Sequence, residues 1–244
     1  IITTNNGCRD TIAPSFTVNG DIPVANFNPL PGDFCANDSV AIQNASTVNF
    51  GNVTKVDIYW DNANAPTVFE TDDFPFSGKI YKHLYPNFQT PATKTFTIRF
   101  RAFSGATCIN DKIKSIVVNA APKLVFNAIP DICLDAAPYQ ITQAIETGGV
   151  PGNMVYSGTG VSTGGLFTPL TAGPGTYTIK AVYRSNFGCA DSATQTIKVL
   201  VPPVANFGYT TPSCQSKNVT FTDSSTSSVG TIVNRSWNFG DGTP

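Results

Sequence analysis

Short runs of alternating apolar and polar residues, separated by glycine and proline, are the dominant pattern of this sequence. In residues 95–103, Phe96, Ile98 and Phe100 alternate with polar side chains, which is the period of a strand with one buried face. Turn signals such as Gly173-Pro174-Gly175 separate the runs, and the segment nearest to a helical pattern, 140–147, is short and uncapped. Further strand patterns occur at residues 114–118, 176–183, 194–199 and 219–222. We therefore predict an all-β chain of antiparallel sandwiches.

The pattern repeats along the chain. Pro-Val-Ala-Asn-Phe occurs at residues 23–27 and 203–207, and a weaker copy, Pro-Lys-Leu-Val-Phe, occupies 122–126. The spacing of these copies is that of small domains and is too long for solenoid repeats. We predict a tandem array with short proline-containing linkers, which favour a semi-rigid, end-to-end arrangement. Its parts are the last strands of a preceding unit in 1–21, complete units in 22–120 and 121–201, and the opening part of a further unit in 202–244.

Composition narrows the range of partners. Charged residues make up 13% of the chain and the formal net charge is −1, so no basic field exists to attract nucleic acid or anionic lipid. No apolar run is long enough for a membrane-spanning helix. We expect no nucleic-acid partner, no membrane insertion and no cofactor. Because the strand patterns at both ends lack partners within the sequence, we also expect the chain to be a fragment of a longer, exported polypeptide.

The six cysteines form two groups by their position relative to the repeated prolines. One group follows the opening proline of a unit, and the other precedes the next opening proline. The early group is Cys35, Cys133 and Cys214, and the late group is Cys8, Cys108 and Cys189. Pairing an early with a late cysteine inside each unit predicts the disulfides Cys35–Cys108 and Cys133–Cys189. Cys8 and Cys214 would then remain unpaired, with partners outside the sequence.

Such disulfides would stabilise each unit by roughly 4 kcal/mol on a chain-entropy argument, and they indicate an oxidising, extracellular setting. Two alternatives stay open from the sequence: buried free thiols, and bonds between adjacent units such as Cys8 with Cys35. A metal site is not expected, because the sequence has no C-x-x-C pair and His83 is its only histidine.

The most specific string is Trp237-Asn-Phe-Gly-Asp-Gly-Thr-Pro244. Trp237 and Phe239 alternate around a polar residue, and Gly240-Asp241-Gly242 provides a tight turn. This string resembles the signature of polycystic-kidney-disease (PKD) domains, whose fold is an immunoglobulin-like β-sandwich. The resemblance implies that the chain consists of tandem immunoglobulin-like, PKD-type antiparallel sandwiches arranged end to end. It also implies that Trp60 and Trp237 are core residues and not exposed platforms for carbohydrate.

The two complete units resemble known repeats to different degrees. Residues 56–61 stand where the tryptophan strand of a PKD domain belongs, and Tyr81-Lys-His83-Leu-Tyr85 resembles its histidine–tyrosine strand. Residues 156–161 and 173–179, with Gly188-Cys189-Ala-Asp191-Ser192, are similar to immunoglobulin-like repeats of large Bacteroidetes surface adhesins, including those used in gliding. The resemblance implies an extracellular or cell-surface location.

Three tripeptides resemble the Asp-Ser/Thr-aliphatic signal for O-glycosylation in Bacteroidetes. They place candidate glycans on Thr11, Ser39 and Ser192. A glycan would add bulk and protease resistance to an extended stalk. The alternative is that a short pattern recurs through repeat homology and strand alternation.

Other chemistry has weaker support. His83 alternates with Tyr81 and Tyr85, which favours a structural strand position over a catalytic one, and we predict no catalytic residue. Asp72 and Asp73, with Glu70 nearby, could ligate calcium through oxygen atoms, but solvated loop acids are the simpler interpretation.

Two functions follow from these features. The first is a non-catalytic structural or adhesive stalk of a bacterial surface adhesin, whose partners are neighbouring repeats of its own chain, surface polysaccharide or other cells. The second is an accessory, carbohydrate-binding region of a secreted hydrolase. An exposed row of aromatic residues in the insert 70–89 would favour the second function. The residues concerned are Phe69, Phe74, Phe76, Tyr81, Tyr85 and Phe88.

Overall fold

The structure, a computed structural model, describes residues 1–15, 21–211 and 218–240. The chain divides into two compact units, Ile1–Ala121 and Pro122–Pro244. Among the described residues almost all regular structure is β, with one four-residue helix. The chain is an all-β protein of antiparallel, immunoglobulin-like sandwiches, as the alternation predicted.

Unit 1 contains a small hairpin followed by a two-sheet sandwich. Its strands are β1 (Ile2–Thr3), β2 (Arg9–Asp10), β3 (Phe27–Pro29), β4 (Val40–Asn44), β5 (Lys55–Tyr59), β6 (Glu70–Asp72), β7 (Ile80–His83), β8 (Thr93–Phe103) and β9 (Ile109–Asn119). The hairpin is β1–β2, one sheet has the order β3-β4-β7, and the other has the order β6-β5-β8-β9. All of these strand pairs are antiparallel.

The core of unit 1 lies between its two sheets. In β8, Ile98, Phe100 and Ala102 are fully buried while the residues between them are partly exposed, which is the result expected from their period-two pattern. Phe100 reaches Phe27 of the opposite sheet, with ring centroids 5.7 Å apart. Since Phe27 is also fully buried, the Pro-Val-Ala-Asn-Phe copy at residues 23–27 contributes a core residue.

Unit 2 contains a second sandwich and a further strand pair. Its elements are β10 (Leu124–Phe126), β11 (Ile132–Cys133), β12 (Tyr139–Gln140), β13 (Ala144–Glu146), β14 (Gly152–Ser157), β15 (Leu166–Phe167), α1 (Pro169–Ala172), β16 (Gly175–Ser185), β17 (Ala190–Leu200), β18 (Phe207–Tyr209) and β19 (Phe221–Asp223). The main sheet has the order β11-β17-β16-β14, and β10–β13, β12–β15 and β18–β19 form two-stranded sheets. The core of the sandwich includes Phe167, Ile179 and Ile197.

The sequence pattern agrees with the structure at one weakly helical segment and misses a short helix elsewhere. The segment 140–147 contains the end of β12 and all of β13, so its weak helical pattern reflects no helix. The short helix α1 begins instead at Pro169, where proline is well tolerated because its missing N–H would have no partner in the first turn.

The expected disulfides within units are not formed. Cys108 and Cys133 are free thiols in the structure, as is Cys8, whereas Cys35 and Cys189 are disulfide-bonded. Cys214 lies outside the described residues.

Strand geometry explains why the two cysteines of each expected pair are not bonded to each other. The chain at Cys35 pairs in parallel with Asn119, at the end of β9, while Cys108 immediately precedes the start of the same strand. In unit 2, Cys133 pairs with Leu200 at the end of β17, and Cys189 immediately precedes its start. Eleven strand residues span roughly 33 Å, far beyond the Cα separation of about 7 Å that a disulfide allows. Early and late cysteines therefore lie at opposite ends of their own unit.

Candidate functional site

A cleft lined by aromatic and charged side chains lies on unit 1, where β7 of one sheet meets β5, β6 and β8 of the other. We call it the aromatic cleft. Its volume is about 460 Å³. Its walls come from the turn after β5 and from the ends of these strands, and they include Trp60, Asp61, Phe69, Glu70, His83, Tyr85, Lys94 and Phe96. Pairing between β4 and β7 places His83 opposite Val40, and this register brings His83 to the cleft.

The aromatic rings of the cleft stack on one another. Trp60 stacks on His83 with centroids 4.9 Å apart, His83 meets the edge of Tyr85 at 4.7 Å, and Tyr85 stacks on Phe96 at 3.8 Å. The Tyr85 hydroxyl donates a 2.7 Å hydrogen bond to the carbonyl of Trp60. Trp60 is only 5% exposed, and its Nε1 is buried without a hydrogen-bond partner. Trp60 is therefore part of the packed core, as its position in the repeat implied.

The electrostatics of His83 suit a structural role. Burial lowers the pKa of His83, and the Glu70 carboxylate, 3.7 Å from Nδ1, partly opposes that shift. The side chain is consequently neutral at pH 7, which is compatible with its stacked position. In the described structure the ring of His83 packs between those of Trp60 and Tyr85, and its charged neighbour is the Glu70 carboxylate.

The acidic loop beside the cleft is occupied by its own hydrogen bonds. Asp72 accepts from Lys79 Nζ at 2.7 Å, from the Tyr81 hydroxyl at 2.6 Å and from the amide of Phe74 at 3.1 Å. Burial raises the pKa of Asp72, but these hydrogen bonds outweigh burial and hold the pKa below its ordinary value. Within the described ranges, no cluster of three or more histidine, cysteine or acidic residues is placed to hold a metal ion. Asp72 therefore serves as an acceptor that fixes the loop.

The six aromatic residues in and next to the insert do not form an exposed row. Tyr85 and Phe88 are 3% and 5% exposed, and Tyr81 is half-buried. Phe69, Phe74 and Phe76 are exposed. These six residues therefore do not provide the exposed aromatic row that would favour a carbohydrate-binding platform.

The candidate glycosylation positions share one local geometry. Thr11, Ser39 and Ser192 are all exposed. In each tripeptide the aspartate Oδ1 accepts a hydrogen bond from the backbone amide of the hydroxyl residue, at 2.8, 2.7 and 2.8 Å respectively. This contact holds the aspartate against the backbone and leaves the neighbouring hydroxyl side chain on the surface.

Sequence reasoning missed a tyrosine corner in unit 2. The hydroxyl of Tyr177, near the start of β16, donates to the carbonyl of Ala172 at 2.5 Å and lies 3.2 Å from the carbonyl of Gly173. Immunoglobulin-type sandwiches use such a tyrosine to fix the turn between the sheets. The available signal was a tyrosine two residues after the Gly173-Pro174-Gly175 turn, at the start of an alternating strand.

A comparison with protein-family profiles finds no match, and neither does a comparison with curated protein sequences. Solved structures similar to this chain include the PKD1 domain of Vibrio anguillarum Epp, with 15% identity, 41% of this chain and 98% of that chain covered, and a TM-score of 0.31. Fibronectin(III)-like modules of Clostridium thermocellum CbhA share 17% identity over 73% of this chain and 94% of that chain, with a TM-score of 0.34. The insect immune protein hemolin shares 15% identity over 76% of this chain and 49% of that chain, with a TM-score of 0.33.

These TM-scores lie below 0.5, so the similarities carry no argument about this chain. In the part of the chain that the structure describes, no helix is long and apolar enough to cross a membrane.

Proposed function

We propose that this chain is a stalk segment of a large, non-catalytic bacterial surface adhesin that acts outside the cell. The stalk holds adhesive parts away from the surface and carries tension through its sandwiches. Its partners are the neighbouring repeats of the same polypeptide and, through the repeats collectively, surface polysaccharide or other cells. The resemblance to Bacteroidetes repeats points to that group and to gliding motility as its setting.

The observation that carries the proposal is a parallel contact between an early segment and the last strand in each sandwich. In unit 1, the amide of Asn119 donates to Phe34 O at 2.7 Å and the amide of Ala36 donates to Asn119 O at 2.9 Å. In unit 2, β11 pairs in parallel with the end of β17, and the amide of Leu134 donates to Leu200 O at 2.8 Å. The hydrogen bonds of a parallel pair are evenly spaced along both strands, and we infer that tension applied at opposite ends of the two strands loads these bonds together.

The test is to pull the 244-residue chain by its ends in a single-molecule force experiment. Proline at position 134 removes the amide that donates to Leu200, and proline at position 36 removes the equivalent donor in unit 1. We expect Leu134→Pro to lower the unfolding force of unit 2 alone and Ala36→Pro to lower that of unit 1 alone, so each variant is the control for the other. Unchanged unfolding forces in both variants would contradict the proposal that these parallel contacts carry tension.

A second measurement separates the stalk from the accessory-module alternative. The parent polypeptide should be identified in its native source by peptide mass spectrometry. Further repeat peptides without hydrolase peptides support the stalk, and a catalytic domain on the same chain supports the alternative. The same spectra report whether Thr11, Ser39 and Ser192 carry glycans, as we propose.

A further inference from the structure

The aromatic cleft of unit 1 combines an apolar wall with charged side chains. Val68 and Phe69 of this wall are 68% and 48% exposed, whereas Trp60 and Tyr85 in the same cleft are buried. The volume of the cleft, about 460 Å³, lies within the range of roughly 300–1,000 Å³ that is usual for small-ligand pockets. The cleft is therefore large enough and open enough to admit a ligand group.

The charged groups of the cleft leave an excess of negative charge. Two carboxylates, Asp61 and Glu70, and one ammonium group, Lys94, line it. Asn64 Nδ2, a neutral donor, lies 3.0 Å from both carboxylate oxygens of Asp61. Glu70 lies 3.7 Å from His83, and burial lowers the pKa of His83, which leaves it neutral at pH 7. Among the described residues, therefore, neither carboxylate forms an ion pair with a lysine or an arginine.

The ammonium group of Lys94 contacts an aromatic ring and not these carboxylates. Its Nζ lies 4.3 Å from the ring centroid of Phe88, a residue outside the lining of the cleft. The negative charge of Asp61 reaches the rings of the cleft, because burial and then the Asp61 carboxylate raise the pKa of the Tyr85 hydroxyl. The cleft is therefore an electronegative space beside aromatic side chains.

A space of this kind attracts positively charged groups. Aromatic faces and carboxylate oxygens both interact favourably with a cation that donates N–H groups, whereas two carboxylates repel an anionic ligand. Within unit 1 the Arg99 guanidinium lies 3.7 Å from the ring centroid of Tyr59. Lys55 Nζ likewise lies 4.0 Å from the ring centroid of Phe103. The cleft presents the same chemistry to a group from outside the unit.

We propose that the aromatic cleft binds an alkylammonium group, which is an organic cation on an apolar stem. The ammonium group donates hydrogen bonds to the carboxylates of Asp61 and Glu70, and the stem packs against Val68 and Phe69. A free alkylamine and a lysine side chain of another protein share this chemistry. The proposal does not rest on the stalk function, since it assigns a recognition site to one unit.

The test titrates the 244-residue chain with Nα-acetyl-lysine amide and with n-pentylamine, and NMR follows the backbone amides. We expect saturable shifts at residues of the cleft, and binding about tenfold weaker when the lysine Nε is acetylated, because the charged donor is lost. Glu70→Gln should weaken binding about threefold, the effect of one exposed ion pair. Asp73→Asn is the matched control, because Asp73 is an exposed acid outside the cleft. Lys94→Gln should strengthen binding, since it removes the opposing charge.

Several outcomes would overturn the proposal. The absence of saturable shifts in the cleft is one, and equal binding of the acetylated lysine is another, because the stem alone would then be recognised. Equal losses in Glu70→Gln and Asp73→Asn would assign the effect to overall charge. If the proposal holds, equal affinity for the two probes indicates a free amine, and tighter binding of the lysine amide indicates a lysine of another protein. Unfolding forces are measured independently, so failure here leaves the stalk function intact.

Discussion

Replacing Tyr177 by phenylalanine isolates one hydrogen bond of the unit 2 sandwich. The hydroxyl donates to the carbonyl of Ala172 at 2.5 Å, just where the short helix α1 ends, and phenylalanine keeps the ring. The substitution removes a net contribution of about 1 kcal/mol and leaves a partly buried carbonyl without its partner, so the total loss should be about 1–2 kcal/mol. For a domain of this size, each kcal/mol lowers the melting temperature by roughly 4–8 °C.

The assay is thermal unfolding of the 244-residue chain. Hydrogen exchange of β8 and of β16 shows which transition belongs to unit 1 and which to unit 2. Tyr177→Phe should lower the transition that includes β16 and leave the one that includes β8 in place. Tyr209→Phe is the matched control, because Tyr209 is 62% exposed and the same chemical change should cost less than about 0.5 kcal/mol. Equal effects of the two substitutions would refute the tyrosine-corner reasoning.

Three further outcomes follow from the structure. A Cβ added at Gly152 would lie 2.2 Å from the Arg184 carbonyl oxygen, so Gly152→Ala should destabilise unit 2 by at least about 2 kcal/mol; Gly164→Ala, whose nearest contact is 3.9 Å, should be neutral in the same urea titration. Because the pKa of Asp72 is lowered in the folded state, its contribution to stability is present above the ordinary value of 3.8 and lost as pH falls through the folded pKa. Urea midpoints of unit 1 between pH 5 and pH 2 should therefore fall less steeply in Asp72→Asn, and parallel curves would contradict the assignment. Among the described cysteines, native thiol labelling should modify Cys8, Cys108 and Cys133, and Cys108 more slowly than the two exposed ones. A Cys35–Cys108 linked peptide would disprove the strand geometry given for these cysteines.

Features that depend on local periodicity were predictable from the sequence. The alternation around Ile98 and Phe100 specified a strand with one buried face, and β8 has that form. The repeated Pro-Val-Ala-Asn-Phe motif marked Phe27 and Phe207 as equivalent, and their backbone pairings agree. Strand periodicity and turn chemistry act over a few residues, so a single sequence carries them directly.

Features that depend on which distant strands meet were decided only by the tertiary structure. The spacing of Cys35 and Cys108 suited a bond within the unit, but parallel pairing with Asn119 places Cys35 at the opposite end of β9 from Cys108. In the insert, Tyr85 turns into the core and Phe74 remains outside, although both belong to the same aromatic-rich segment. The physical reason is that sheet topology sets the end and the face on which a residue lies, and topology results from contacts between segments far apart in the chain.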